Sequence, residues 1–193
     1  MARPSNRDKI LSEGLKVVHE RGFANASVRD IVQAAGVPQG SFTNHFASKE
    51  AFGLEIIDLY ADQTCPMIQE TLLNPALTPL KRLEAYIDTN RAELLKGGLE
   101  YGCLLGNFTA EASDLSEAIR MRLEDKFARI RESIRTCLEA AVAERELPRD
   151  FDCAEIAVFI HSSLQGATLV AKADRTTAAL DRFKHVLFAK VLR

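Results

Sequence analysis

No cysteine in this 193-residue chain is spaced to hold a metal. The four, at positions 65, 103, 137 and 153, form no Cys-x-x-Cys pair and have no histidine at ligand spacing. A structural zinc site is therefore not expected, and free thiols are the default. Long apolar runs are missing as well. The hydrophobic stretches are short and broken by charge, so no transmembrane helix and no membrane partner are expected. The start of the chain lacks the apolar core of a secretion signal, which predicts a cytoplasmic protein. Neither an internal repeat nor a period-two strand pattern can be found. No histidine or acid is arranged as base and orienter beside a nucleophile, so neither catalytic residues nor cofactors are expected. Strong charge of either sign is absent too, the formal net charge being −2. It is unevenly spread. Residues 1–53 carry seven Lys/Arg against five Asp/Glu, a balance of +2, and the remainder carries −4. A slightly basic head on an acidic body fits a nucleic-acid reader.

What is present is helix nearly everywhere, on a 47% hydrophobic composition typical of a folded core. The punctuation predicts an all-α fold of about nine helices. The first runs from about Asn6 to Arg21, with Leu11, Leu15 and Val18 on one face, and ends at Gly22. Two short helices follow. A fourth, capped by Ser48, spans about Lys49 to Leu73. Thr78-Pro79 opens a fifth that ends at Gly97-Gly98. A short sixth covers about Cys103 to Ala112. Ser113-Asp114 is expected to cap a long seventh reaching about Glu146, striped by Ile119, Leu123, Phe127, Ile130, Ile134, Leu138 and Val142. The eighth, from about Cys153 to Ala173, is apolar on nearly every side around Ile156–Leu164. The ninth carries Leu180, Phe183, Leu187 and Val191. A small domain's edge helix that is apolar all round needs cover on two sides, so the last two helices are expected to form half of a four-helix homodimer interface.

Residues 27–52 carry most of the chemistry. Val28, Ile31, Val32 and Ala35 share one helical face. Ser27 with Asp30 forms a capping-box pattern, Gly36 suits the left-handed end of the helix, and Pro38 suits the start of the next. That next helix, roughly Pro38 to Phe46, is too short to stand alone. Phe42 and Phe46 can pin it to the protein, leaving Gln39, Ser41, Thr43, Asn44 and His45 outside. Small polar residues on a pinned short helix suit the DNA major groove. Lys49, at a helix N-terminus, is the best phosphate contact. Arg29, Thr43 and His45 can reach backbone or base edges, Gln39 and Asn44 can pair with adenine, and Ser27 can bond phosphate as well as cap. Arg3 and Arg7 are candidates for the minor groove, although charges on a chain end are more often simply solvated.

The stretch resembles the DNA-binding domain of the TetR/AcrR family of transcriptional regulators. Ser27, Ile31, Ala35, Gly36, Val37, Gly40, Phe42, His45, Phe46, Ser48, Lys49 and Phe52 match the family pattern. Pro38 and Thr43 depart from it, Thr43 standing where a phosphate-touching Tyr is frequent. The resemblance implies a helix-turn-helix DNA-binding domain over 1–53, including Gly40 at the recognition helix, and a ligand-sensing and dimerisation domain over 54–193. It also implies a dimer on a palindromic double-stranded DNA operator, acting as a repressor and released by a small-molecule effector.

A second segment stands out, Gly97-Gly-Leu-Glu-Tyr101-Gly102-Cys103-Leu-Leu-Gly-Asn107. Its glycines put Cys103 at a helix start, where the dipole favours thiolate, the form that meets electrophiles and oxidants. The segment is similar to the Gly-Cys-Leu-x-x-Asn stretch of the electrophile- and oxidant-sensing NemR type. That similarity implies a lysine beside the thiol, Lys172 here, able to stabilise thiolate or to bond to the oxidised sulfur. Two alternatives remain. Cys103 can be a small buried apolar residue with a non-covalent effector such as an organic acid or acyl thioester. More distantly, the protein can be a thiol enzyme using Cys103. Tyr101, Asn107, His161 and Gln165 are candidate pocket residues. Cys65, Cys137 and Cys153 are expected to fill core or interface.

Overall fold

The computed structural model describes residues 5–112, 114 and 116–193. Among them are nine α-helices and a closing π-helical turn, with no strand, as the sequence predicts. They are α1 (Asn6–Arg21), α2 (Val28–Ala34), α3 (Gly40–His45), α4 (Lys49–Glu70), α5 (Pro79–Gly97), α6 (Leu104–Ala112), α7 (Glu117–Ala143), α8 (Cys153–Asp174) and α9 (Ala178–Val186), followed by the π-turn Leu187–Val191.

The chain forms two compact units. One joins the chain through Gln63 with Leu104–Asp125, and the other joins Thr64–Cys103 with Lys126–Arg193. The first unit is thus wider than the reading head alone, because α6 and the first turns of α7 fold with it.

Its helices begin where side chains replace missing backbone partners. Ser5 with Asp8, and Ser27 with Asp30, each close a reciprocal capping box. α2 ends in a Schellman motif: Val37 N–H donates to the Val32 carbonyl and Gly36 N–H to that of Gln33, both at 3.1 Å. Gly36 takes φ +63°, the left-handed geometry that motif demands. The buried face of α1 is Ile10, Gly14, Val17 and Val18, while Leu11 and Leu15 are only half-buried. The stripe is rotated from the expected one because Gly14 brings the α1 backbone onto Phe52. A Cβ there would lie 2.6 Å from the Phe52 ring.

In the second unit, Leu83, Ile87, Ile134, Leu138, Ile160, Leu164, Leu180 and Leu187 form the centre of the core. Each such side chain contributes about 1.5–3 kcal/mol by leaving water. Arg91 reaches Asp181 at 2.7 Å, and Lys184 reaches Asp88 at 2.7 Å and Glu84 at 3.2 Å, so α5 and α9 also share an exposed ion network.

Several boundaries shift. Ser113 lies outside the described residues; Ser116 caps α7 by accepting from Ile119 N–H at 3.1 Å. α7 stops at Ala143, short of Leu147-Pro148, because Arg145 adopts φ +64° and closes a Schellman bond from Glu146 N–H to the Ala141 carbonyl at 2.8 Å. α4 ends at Glu70 and contains Pro66, which has no N–H to give the Asp62 carbonyl. α8 is long and apolar enough, at mean hydropathy 1.3, to cross a bilayer. That corrects the expectation of interrupted runs only. Its Ala157, Ile160, Leu164, Ala167 and Ala171 lie in the core, as in the core helix of a globular unit.

Candidate functional site

α3 is only six residues long, so its hold on the protein comes from side chains. Phe42, Phe46 and Phe52 form a triangle of rings with centroids 5.2–5.4 Å apart. With its inner face pinned, α3 turns Gln39, Gly40, Thr43, Asn44 and His45 outward, all exposed. Arg29 on α2 is exposed too. Ser41 is the correction. It is buried, and its hydroxyl accepts from Asn6 Nδ2 at 3.4 Å, so it braces α3 against α1 rather than facing outward. Thr43 spends its hydroxyl on the Gly40 carbonyl at 3.1 Å. Ser27 donates to Asp30 at 2.5 Å while accepting from the Asp30 N–H. Those bonds, with Arg21 beside them, hold the Asp30 carboxyl below the usual carboxylate range.

Two basic residues are engaged within the protein. Arg7 pairs with Glu55 and sits over the Phe46 ring at 5.7 Å. Arg3 lies outside the described residues. Lys49 donates to the Ala24 carbonyl at 3.1 Å and covers the Phe23 ring at 4.8 Å. Burial lowers its pKa, against the pull of Glu111. Glu111, on α6, accepts from the Ala24 N–H at 3.1 Å, so one turn residue is held from both sides. Phe108, also on α6, packs on Phe23 with centroids 4.7 Å apart. Sequence reasoning missed this grip on the turn between α1 and α2, because no local pattern pairs residues 23 and 24 with 108 and 111.

In the second unit, Cys103 is half-buried one residue before α6, and Gln165 Nε2 approaches its sulfur at 3.7 Å. Gly102 takes φ +66°, and a Cβ on it would lie 3.0 Å from Lys172 Cδ, so the lysine's apolar stem lies across the backbone beside Cys103. His161, Gln165, Thr168 and Lys172 recur every three or four residues and share one face of α8. Tyr86, missed in the sequence, is a buried core residue of α5. Burial pushes its phenol up to about 12, with Asn90 opposing and Cys103 adding. Its signal was faint, a lone tyrosine on a core stripe.

His161 is 7% exposed and its Nε2 has no hydrogen-bond partner. Burial, then the charge of Arg131, pushes its imidazole down to about 4, so it is neutral at pH 7. Tyr101 is half-buried in this unit, whereas Asn107 belongs to the first unit, on α6. Cys137 is a core residue. Its thiol donates to the Pro79 carbonyl at 3.2 Å and is raised to about 11 by burial. Cys153 is half-buried, and Cys65 is exposed rather than in the core. No cluster of metal-binding side chains occurs among the described residues. Two surface clefts of about 530 and 470 Å³ include none of the expected effector residues.

A three-helix head that pins a short polar helix outward, continuous with a separate helical body, defines a helix-turn-helix DNA-binding transcriptional regulator. Residues 10–56 match the tetR family of bacterial regulatory proteins, and residues 79–187 match the tetracyclin repressor-like C-terminal domain. The chain belongs to the TetR family of transcriptional regulators. It is 36% identical to the HTH-type transcriptional repressor DhaR of Mycobacterium sp. (strain GP1) over 192 residues, 100% of this chain and 95% of that protein. It is 32% identical over 123 residues to the HTH-type transcriptional repressor NemR of Escherichia coli K12, covering 64% of this chain and 61% of NemR. The crystal structure of the reduced form of E. coli NemR superposes with a TM-score of 0.85 at 27% identity, covering 94% of each chain. A TetR regulatory protein from Rhodobacter sphaeroides superposes at 0.88 and 28% identity, covering 94% of this chain and 96% of that one.

Proposed function

We propose that this regulator is a repressor that binds a palindromic operator as a homodimer and is released by a small effector acting at Cys103. Residues 1–53 read DNA through Arg29, Gln39, Gly40, Thr43, Asn44 and His45, and residues 54–193 sense and dimerise. The observation that carries the effector site is the polar face of α8 at Cys103, with Gln165 at the sulfur and Lys172 across Gly102. Cys103 immediately precedes α6, and the far end of α6 grips the turn before α2 through Phe108 and Glu111. An adduct on Cys103 that shifts α6 would therefore move the turn that positions the reading helices, and operator affinity would fall. α4, which contains Pro66, leaves the head as the second lever. Lys49 in this scheme exchanges the Ala24 carbonyl for a phosphate when DNA binds.

The test is an anisotropy titration on the DNA upstream of the protein's own gene, with and without N-ethylmaleimide, on wild type and Cys103→Ser. Release of wild type by at least about tenfold in affinity, about 1.4 kcal/mol, with the variant unaffected, is expected. Equal release of both would remove Cys103 from the mechanism. A second reading, a non-covalent effector, is favoured by the unpartnered His161.

A further inference from the structure

Phe127 and Arg131 are four residues apart on α7, and His161 and Gln165 four apart on α8, so each pair occupies one helical face. The Phe127 and His161 rings meet at 5.0 Å. His161 Nε2 is buried and unpartnered, which costs about 1–3 kcal/mol unless something else fills the position. Such an atom in a native interior calls for a partner. Arg131 is half-buried and makes no ion pair among the described residues, yet its charge acts on His161. No carboxylate is among the groups acting on that imidazole. A buried imidazole nitrogen without a partner, on a face of α8 that meets the α7 face carrying Arg131, is matched to an anion.

We propose that His161 and Arg131 form the anion-recognising end of the effector site and take the carboxylate of a small acid whose apolar body lies against Phe127. One carboxylate oxygen accepts from the His161 imidazole N–H and the other from the Arg131 guanidinium. Two donors suit a monoanion, whereas a phosphate dianion would leave oxygens unpaired. The rest of the core around α8 is apolar, which selects against small, fully hydrated anions. Gln165, which contacts Cys103, lies one helical turn further along α8, about 6 Å away, so an acid seated here presses on the residue that contacts the thiol. The proposal rests on the effector-released regulator reading given above.

The experiment is calorimetric titration of the full chain, without DNA, with hexanoate and benzoate and with their neutral isosteres hexanamide and benzamide. Wild type and Arg131→Gln are compared, the latter because a half-buried arginine can be replaced by a shorter polar side chain without opening the core. The acids are expected to bind about tenfold or more tightly than the amides, and Arg131→Gln to erase that preference. In ¹⁵N-labelled wild type, hexanoate is expected to shift the His161 Nε2 resonance. Failure of both acids to bind at millimolar concentration, equal binding of acid and amide, or an unchanged preference in Arg131→Gln would each overturn the proposal. Operator binding by the same preparations separates the two readings. Retained operator binding without acid binding removes the anion site alone, and acid binding without operator binding removes the regulator reading alone.

Discussion

His161 ties function to stability at the scale of a single residue. Burial holds its imidazole at about 4, against about 6.5 for a free histidine. The unfolded chain therefore takes up a proton as pH falls through 6.5, and the folded protein resists until about 4. Stability is full above 6.5 and is lost across the window from 6.5 down to 4. The difference at pH 5 is about 2 kcal/mol per protomer from this residue. Urea midpoints at pH 7.5 and pH 5, at one protein concentration, should fall much further for wild type than for His161→Leu. A parallel fall in both would assign the acid sensitivity to other groups. Ser41 and Lys49 teach a related lesson about what a sequence reveals. Their residue types and spacing were legible as a reading head. Their destinations were not, because the partners, Asn6 and Ala24, lie 35 and 25 residues away.

Helices announce themselves when their ends are made of local chemistry. Ser27 with Asp30 and the Gly36 turn were readable because each device fits within a few residues. The end of α7 was not, since Arg145 occupies the left-handed position that glycine usually marks. Nor was the π-turn after α9, which no side-chain period distinguishes from a continuing helix. α6 was readable as a helix but not as part of the head's own compact unit, since that depends on Phe108 and Glu111 meeting Phe23 and Ala24. The tie can be tested without knowing the effector. Glu111→Ala removes the acceptor for Ala24 N–H, at a cost of about 0.5–1.5 kcal/mol. Hydrogen exchange in the turn between Gly22 and Ser27 should quicken by about tenfold, with α8 unchanged. Unchanged exchange in the turn would mean that Lys49 alone holds it, and the proposed path from α6 to the reading helices would be lost.

At the scale of the whole molecule, the exposed face of α8 is the feature a single chain does not explain. Val158, Phe159, Leu169 and Val170 are exposed, Leu169 by 67%, and Val186 extends the surface onto α9. Ser162 and Gly166 lie on the same face, and a Cβ on Gly166 would meet nothing within 4 Å. Large side chains flanking two small ones make a ridge with a saddle, which suits a second helix crossing at close range. A contiguous apolar face of this kind is rare on a monomer. The homodimer proposed above needs about 800 Å² from each partner, more than one helix face supplies, so α9 is expected to share the interface. Phe159→Glu or Leu169→Glu places a carboxylate in the centre of that interface. Light scattering should then find a dimer for wild type and a monomer for the variant. Operator affinity should drop by about 10²–10⁴, because two heads joined in one particle bind as a linked pair and a lone head does not. Met121→Glu, an equally exposed apolar position at 57% on α7 in the other unit, should change neither. A Leu169→Glu protein that stays dimeric would move the interface elsewhere. One that turns monomeric yet keeps its operator affinity would separate dimerisation from DNA reading altogether.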